Sequence, residues 1–158
     1  MEIVARKGPP TGVARLLFRL PVHVYRLGLG RLFGSRLMLL THRGRKTGRQ
    51  RQAVIEVVGG DATTGYLACS GFGRGAAWYR NVLAEPHVTI QVGNRRLPVR
   101  AEPLTEEQGA EAMAAYARRH PRAARKLCRL LGFAVDGSAA DYREVGRRLP
   151  FVRFVPGP

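Results

Sequence analysis

Short runs of alternating or continuous apolar residues recur along the chain, and these runs predict β-strands. Residues rich in Gly, Asn and Asp separate the runs, as expected for turns between strands. The Gly93-Asn94 pair is typical of a tight hairpin turn between two of them. The predicted strands cover residues 36–42, 52–58, 66–69, 87–92, 96–101 and 149–155.

Other segments show the three-to-four-residue spacing of amphipathic helices. We expect helices over residues 12–33 and 76–83, one that begins at Thr105, one that begins at Pro121, and a short one after Ser138. Thr105 and Gln108 form a capping box, and Pro121 takes the first helical position, which proline prefers. Hairpin-connected strands with segregated helices predict an α+β fold, with a mostly antiparallel sheet or small barrel and peripheral helices.

The first 34 residues are predicted to form a unit apart from the domain over residues 35–158. The unit begins as a loose tail over residues 1–11, where Gly8-Pro9-Pro10 breaks regular structure. Its helix over residues 12–33 carries a row of basic side chains opposite a leucine-rich side. Two interpretations stay open: the helix packs on the domain, or it lies on an anionic membrane surface.

The chain is strongly positively charged, and this charge is compatible with several kinds of anionic partner. Lys and Arg number 27 against 11 Asp and Glu, so the formal net charge is +16. Such a charge attracts nucleic acid, anionic membrane or a polyanionic small molecule. No sequence module of nucleic-acid binding is present, so nucleic acid is not an expected partner. The sequence leaves the choice between monomer and homodimer open.

The cysteine content and the hydropathy of the chain favour a cytoplasmic protein. Cys69 and Cys128 are the only cysteines, which excludes a disulfide scaffold and a cysteine zinc site. No apolar run reaches the length that a membrane span needs. We therefore expect a cytoplasmic location, with peripheral contact at the inner face of the cell membrane if the 12–33 helix binds lipid.

Several catalytic signatures are absent from the sequence. There is no strand-embedded GxGxxG, the basic segment near Lys46-Thr47 lacks P-loop spacing, and Ser70 is not in a GxSxG elbow. The four histidines are scattered and lack metal-ligand spacing, so no metal site is expected.

A basic turn between the first two predicted strands of the domain has the composition of an anion site. Residues 43–49 read RGRKTGR, and Arg51 follows closely. Glycines allow close approach of backbone N–H groups to an anion, while arginine and lysine supply the opposite charge. A solvated hairpin loop is the alternative interpretation.

A second segment, SGFGRG at residues 70–75, leads into the predicted helix that carries Trp78 and Tyr79. A helix start favours an anionic group, and a flat aromatic can contact a flat heterocycle.

Three segments together resemble the deazaflavin-dependent nitroreductase family. They are THRGRKTGRQR at residues 41–51, ACSGFGRGAAWYRN at residues 68–81, and LAEPHVTIQVG at residues 83–93. The closing RLPFV at residues 148–152 is similar to the last strand of that family. The resemblance implies a split β-barrel of the flavin reductase type, and an oxidoreductase that uses reduced coenzyme F420 as hydride donor to a quinone, a nitroaromatic or another unsaturated acceptor.

The resemblance also implies roles for individual residues, since F420 carries a phosphate and an oligoglutamate tail. The basic turn would hold the phosphate and tail, the glycine loop would line the ring and linker, and the following helix would form the neighbouring wall. Ser70 and His120 are candidates for the substrate pocket. The implied cofactor-binding residues are Arg45, Lys46, Thr47, Gly48, Arg51, Ser70, Gly71, Gly73, Ala77, Trp78, Tyr79 and Asn81.

Two departures from the family pattern concern the substrate pocket and one contact to the cofactor. His120-Pro121 stands where the family often has Tyr-Pro, so the substrate pocket is expected to be more basic. Gly71-Phe72 stands where a lysine is common, which removes one phosphate contact.

Two other functions remain open from the sequence: a split barrel that binds flavin mononucleotide (FMN), and a non-enzymatic basic module that binds anionic membrane or nucleic acid.

Overall fold

A computed structural model gives the fold over residues 34–157, together with Tyr25 and the backbone of Glu2–Ile3. These are the residues that the structure describes. A 3₁₀ turn, Gly73–Gly75, precedes the first helix of this part of the chain. The elements are β1 (Glu2–Ile3), β2 (Leu37–Arg43), β3 (Gln50–Glu56), β4 (Gly59–Asp61), β5 (Gly65–Cys69), α1 (Ala77–Ala84), β6 (His87–Val92), β7 (Arg95–Pro103), α2 (Glu106–Arg119), α3 (Pro121–Leu130), β8 (Phe133–Ala134), α4 (Ala139–Arg148) and β9 (Phe151–Pro156).

Seven antiparallel strands form the main sheet, in the order β3-β2-β6-β7-β9-β5-β4. The β2–β3 hairpin pairs Leu37 with Glu56 at one end and Arg43 with Gln50 at the other. The sheet curls until β3 approaches β5, although these two strands are not neighbours in the hydrogen-bonded order. This half-open antiparallel barrel with peripheral helices confirms the predicted α+β class.

The sheet separates two apolar cores. Alternate side chains of the strands point into the curled sheet, where Met38, Leu40 and Phe154 are fully buried together with residues of α1. The opposite face of β5 and β9 packs under α2, α3 and α4, with Met113 and Phe133 at the centre of that second core. Helix α1 therefore belongs to the inner core, and its start lies at the end of the barrel where the basic turn is found.

Helices α2 and α4 pack against each other at a pair of glycines. A Cβ atom on Gly146 would lie 2.3 Å from the carbonyl oxygen of Gly109, so only glycine permits this approach. Ion pairs join the same helices on their exposed side. Arg147 Nε lies 2.9 Å from Glu107 Oε1, and Arg143 Nε lies 2.9 Å from Glu111 Oε1.

Two features of the sheet differ from the sequence predictions. Residues 59–61 were expected in a turn, but they form strand β4, which pairs with β5. Residues 1–11 were expected as a loose tail, but Glu2–Ile3 pairs with Phe133–Ala134. Strand β1 depends on a partner far along the chain, and β4 consists of residues with low strand propensity, so local composition indicated neither strand.

The 12–33 helix lies outside the described residues except for Tyr25, which is buried against Leu39 and Val54. The proposed division at residue 34 stays a prediction. Among the described residues, no helix is both long and apolar enough to cross a membrane.

Candidate functional site

The basic turn between β2 and β3 is a closed loop held by its own backbone. The Gly44 N–H donates to the carbonyl of Arg49 at 2.8 Å, and the Gly48 N–H donates to the carbonyl of Gly44 at 2.8 Å. Gly48 has a φ of 71°, which favours glycine at this position. The Thr47 hydroxyl accepts from the Arg49 N–H at 3.2 Å. The turn is therefore a fixed platform for its exposed cationic side chains.

A cavity of about 300 Å³ lies between this turn and the start of α1. A Cβ atom on Gly44 would lie 2.9 Å from the Thr47 hydroxyl and 3.3 Å from Arg51 Nε, so the glycine leaves room for these two groups. Three cations and one hydroxyl suit an anion of phosphate or carboxylate type. Of the implied cofactor-binding residues, the cavity is lined by Arg45, Lys46, Thr47, Arg51, Ala77 and Asn81.

Asn81 anchors the basic turn to helix α1. Its side-chain oxygen accepts from the backbone N–H of Arg45 at 3.1 Å and from the Arg45 guanidinium at 3.0 Å. Its side-chain nitrogen lies 3.0 Å from Nδ1 of His42, on β2. Asn81 and His42 are 2% and 4% exposed, so this contact is shielded from water. The implied cofactor residue Asn81 therefore acts on Arg45 directly.

His42 is a buried residue of the candidate site that the sequence analysis missed. Burial lowers the pKa of His42 to about 4, and the nearby Arg51 guanidinium acts in the same direction. The imidazole is therefore neutral near pH 7, and its Nδ1 can accept the Asn81 amide proton. This acceptor fixes the Asn81 amide with its oxygen toward Arg45. The signal in the sequence was slight: one histidine at an inward position of a predicted strand.

The glycine loop after β5 is shaped by buried polar contacts. Ser70 is fully buried, and its hydroxyl donates to the carbonyl of Gly73 at 2.5 Å. Gly73 has a φ of 84°. A Cβ atom on Gly71 would lie 2.6 Å from the Leu131 side chain, so the residue after α3 packs directly on this loop. The Ser70 hydroxyl thus holds the loop in shape, and the structure places it away from solvent.

The aromatic pair in α1 divides between the core and the surface. Tyr79 is buried in the inner core, whereas Trp78 is half-buried. The Trp78 ring packs edge-on against Tyr79, with centroids 6.0 Å apart, and lies 6.3 Å from the ring of Phe154. Ala76, the N-cap of α1, offers no side-chain cap to the first-turn N–H groups. Those donors remain available to an anion beside Ala77.

A second polar cluster, also missed from the sequence, lies where β3 approaches the helical layer. The Tyr116 hydroxyl donates to Glu56, and burial together with this bond raises the pKa of Tyr116. The Arg36 side chain also interacts with Tyr116. His120, the substrate-pocket candidate, is exposed, and its ring lies 5.6 Å from that of Tyr116. The structure thus places His120 beside the Glu56–Tyr116 pair.

Neither cysteine is placed for chemistry. Cys69 and Cys128 are both buried in the outer core. Burial raises the pKa of Cys69 to about 12 and that of Cys128 to about 11. Both thiols therefore stay protonated at neutral pH, and protonated thiols are poor nucleophiles.

A larger cavity of about 600 Å³ lies over β2, β6, β7 and β9. Its lining combines Arg43, His87 and Arg100 with the acidic Glu102. Glu102 offsets only part of the positive charge of Arg43 and Arg100 there, whereas the cavity at the basic turn is lined by three cations and no acid. The smaller cavity is therefore the better candidate for an anionic ligand.

The curled antiparallel sheet and the site at its end define a split-barrel protein. Solved structures of similar fold belong to the same class. An F420-H2 dependent reductase, FDR-A, is 21% identical with a TM-score of 0.51, over 75% of this chain and 93% of that chain. A protein solved as a domain-swapped dimer is 20% identical with a TM-score of 0.52, over 85% and 98% of the two chains. A putative pyridoxamine 5′-phosphate oxidase from Listeria innocua is 13% identical with a TM-score of 0.50, over 88% and 94%. At this level of identity these similarities show the fold.

The family is shown by a match over residues 17–130 to the model of the F420H(2)-dependent quinone reductases. The chain belongs to this family, and it is an F420-dependent oxidoreductase. F420 is therefore the cofactor, in preference to FMN, and a non-enzymatic basic module is excluded as the primary function. Among curated proteins, none matches the chain significantly.

Proposed function

We propose that the protein reduces a quinone with reduced F420 as hydride donor, and that the basic turn anchors the anionic end of the cofactor. The observation that carries the anchoring is the convergence of Arg45, Lys46, Arg51 and the Thr47 hydroxyl on one cavity. The phosphate and glutamate groups of F420 present oxygen anions, for which arginine and lysine are the strongest side-chain partners. The donor set therefore fits the cofactor.

The remaining implied residues fall into two roles in this proposal. Gly48, Gly71 and Gly73 shape the backbone against which the cofactor lies. Trp78, half-buried at the start of α1, forms a wall beside it. Ser70 and Tyr79 support the loop and the helix from the interior, because both are buried.

Two electrons and two hydrogens reach the acceptor in the proposed reaction. Reduced F420 supplies the hydride when bound. The quinone takes that hydride and one proton and leaves as the quinol. The role of the protein in this reaction is to orient the acceptor and to exclude water. His120 lies exposed beside Tyr116, which is buried and bonded to Glu56, and we assign these three residues to the acceptor side of the site.

Peripheral contact with an anionic membrane is part of the proposal, because quinones partition into lipid. The net charge of +16 supports such contact. A nitroaromatic or another unsaturated acceptor, both also predicted from the sequence, would meet the same side chains.

The test is anaerobic oxidation of reduced F420 by the protein with a water-soluble naphthoquinone or a nitroaromatic as acceptor. We expect turnover with the quinone, and a raised KM for reduced F420 with little change in kcat in the Lys46→Ala/Arg51→Ala variant. The matched control is Arg95→Ala/Arg96→Ala, which removes the same charge from exposed positions on β7. No oxidation with the quinone would contradict the acceptor, and equal KM values in both variants would contradict the anchor.

A further inference from the structure

Helix α3 carries a concentrated positive charge on its outer side. Arg122, Arg125, Lys126 and Arg129 are all exposed. At about 100° per residue they occupy a continuous arc of about 100° around the helix. The buried residues Ala124 and Cys128 lie on the opposite side, against the outer core. We call these four cations the α3 arc.

None of the ion pairs between residues that the structure describes includes a cation of the α3 arc, and Arg125 makes one hydrogen bond, to the carbonyl of Val135 at 3.2 Å. The ion pairs found there use arginines of α4, which bind Glu107, Glu111 and Glu144. Helix α3 itself contains no Asp or Glu, and residues 3–33 contain none either. A structural role in ion pairing therefore explains the α4 arginines but not the arc.

An exposed leucine adjoins the arc. Leu130 is 54% exposed, and only Leu83 among the other large apolar side chains of the described residues is comparably open. Its helical position places it next to Lys126, at the edge of the arc. A row of cations bordered by an exposed leucine matches a surface that offers both anionic groups and apolar chains.

The helix that carries the arc adjoins the glycine loop and His120. Leu131 directly follows Leu130, and its side chain packs on Gly71 of the glycine loop. The arc begins just beyond His120, the N-cap of α3. The contact between Leu131 and Gly71 lies on the buried side of α3, so the helix connects the glycine loop inside to the arc outside.

We propose that the α3 arc docks the enzyme on an anionic phospholipid bilayer, with Leu130 entering the interface. The docking itself stands on charge and exposure alone. Its consequence, that lipid-dissolved acceptor reaches the site from the bilayer, rests on the proposed function. Duplex nucleic acid could also bind a cationic helix, but it would gain nothing from the leucine.

The experiment is sedimentation with vesicles of phosphatidylcholine and phosphatidylglycerol at 7:3, or of phosphatidylcholine alone, at about 0.15 M salt. We expect the full chain to pellet with the anionic vesicles only. Each cation near such a surface is worth about a fivefold change in partitioning, so Arg122→Gln/Lys126→Gln/Arg129→Gln should weaken binding about 100-fold. The matched control, Arg95→Gln/Arg96→Gln/Arg100→Gln, removes the same charge from exposed positions on β7 and should bind within about threefold of the wild type.

Leu130→Ser keeps the charge and should weaken vesicle binding several-fold without affecting binding to duplex DNA. Far-UV circular dichroism and thermal unfolding confirm that each variant is folded. Equal losses in the two triple variants, wild-type binding by the α3 variant, or no effect of Leu130→Ser on vesicle binding would overturn the proposal. Affinity for F420 in solution should match the wild type in the α3 variant, and its loss would reassign the arc to the cofactor tail. Failure of the wild type to bind F420 would contradict the proposed function and leave the vesicle result unaffected.

Discussion

Truncation of Asn81 should loosen the basic turn and weaken the fold together. Asn81→Ala removes the acceptor of two Arg45 donors, at 3.1 and 3.0 Å, and the partner of His42 at 3.0 Å. A buried polar group that loses its partner costs about 1–3 kcal/mol, and the His42 Nδ1 atom is such a group. The backbone N–H of Arg45 adds about 1 kcal/mol. The bond to the Arg45 side chain counts for little, because that side chain is exposed.

The expected loss of unfolding free energy is therefore about 2–4 kcal/mol, measured by urea denaturation. Affinity for F420, measured by calorimetric titration, should fall about 10-fold. Without Asn81 the Arg45 side chain is no longer held in its binding conformation before the cofactor arrives, and ordering it then costs binding free energy. Asn94→Ala is the matched control. Asn94 is exposed in the β6–β7 turn, so both quantities should stay near wild type. A stability loss below about 0.5 kcal/mol together with unchanged affinity would refute the role of Asn81.

Three further predictions concern single groups. Because the pKa of folded His42 is lowered from 6.5 to about 4, the unfolded chain binds the proton first as the pH falls. Stability should therefore decline by about 3 kcal/mol between about pH 6.5 and 4, and His42→Gln should flatten that decline in urea titrations; a parallel decline in the variant would count against His42. Cys69→Ala and Cys128→Ala should keep turnover in the quinone assay, because both thiols are buried and protonated, and loss of turnover in a folded variant would reveal a thiol step. Binding of F420 should weaken as salt rises, because the cations of the basic turn are exposed; affinity independent of salt would contradict an electrostatic anchor.

The sequence predicted those features whose causes are local. The capping box of Thr105 and Gln108 and the cap formed by Ser138 are found as expected, since each needs only a side chain and a backbone group three residues away. The basic turn was predicted for a similar reason, because glycines and cations within eight residues define its chemistry. Hydrophobic patterning located the longer strands of the sheet, because each of them has a buried face.

The missed contacts join positions far apart in the chain. His42 and Asn81 are 39 residues apart, and Glu56 and Tyr116 are 60 residues apart. Each pair meets only after the sheet has curled and the helices have packed, so no local pattern indicates it. Strand β4 was missed for a different reason: its partner β5 follows directly in the chain, but Gly59, Gly60 and Asp61 have low strand propensity.

The central claim is that the cavity at the basic turn binds the anionic end of F420. It is tested most directly by calorimetric titration of F420 and of FMN into the wild type and into Arg45→Ala/Lys46→Ala at low salt. We predict that F420 binds the wild type more tightly than FMN, and that the variant loses about 100-fold in F420 affinity, as expected for two charge-assisted contacts. Wild-type affinity in the variant would contradict the account, as would tighter binding of FMN than of F420.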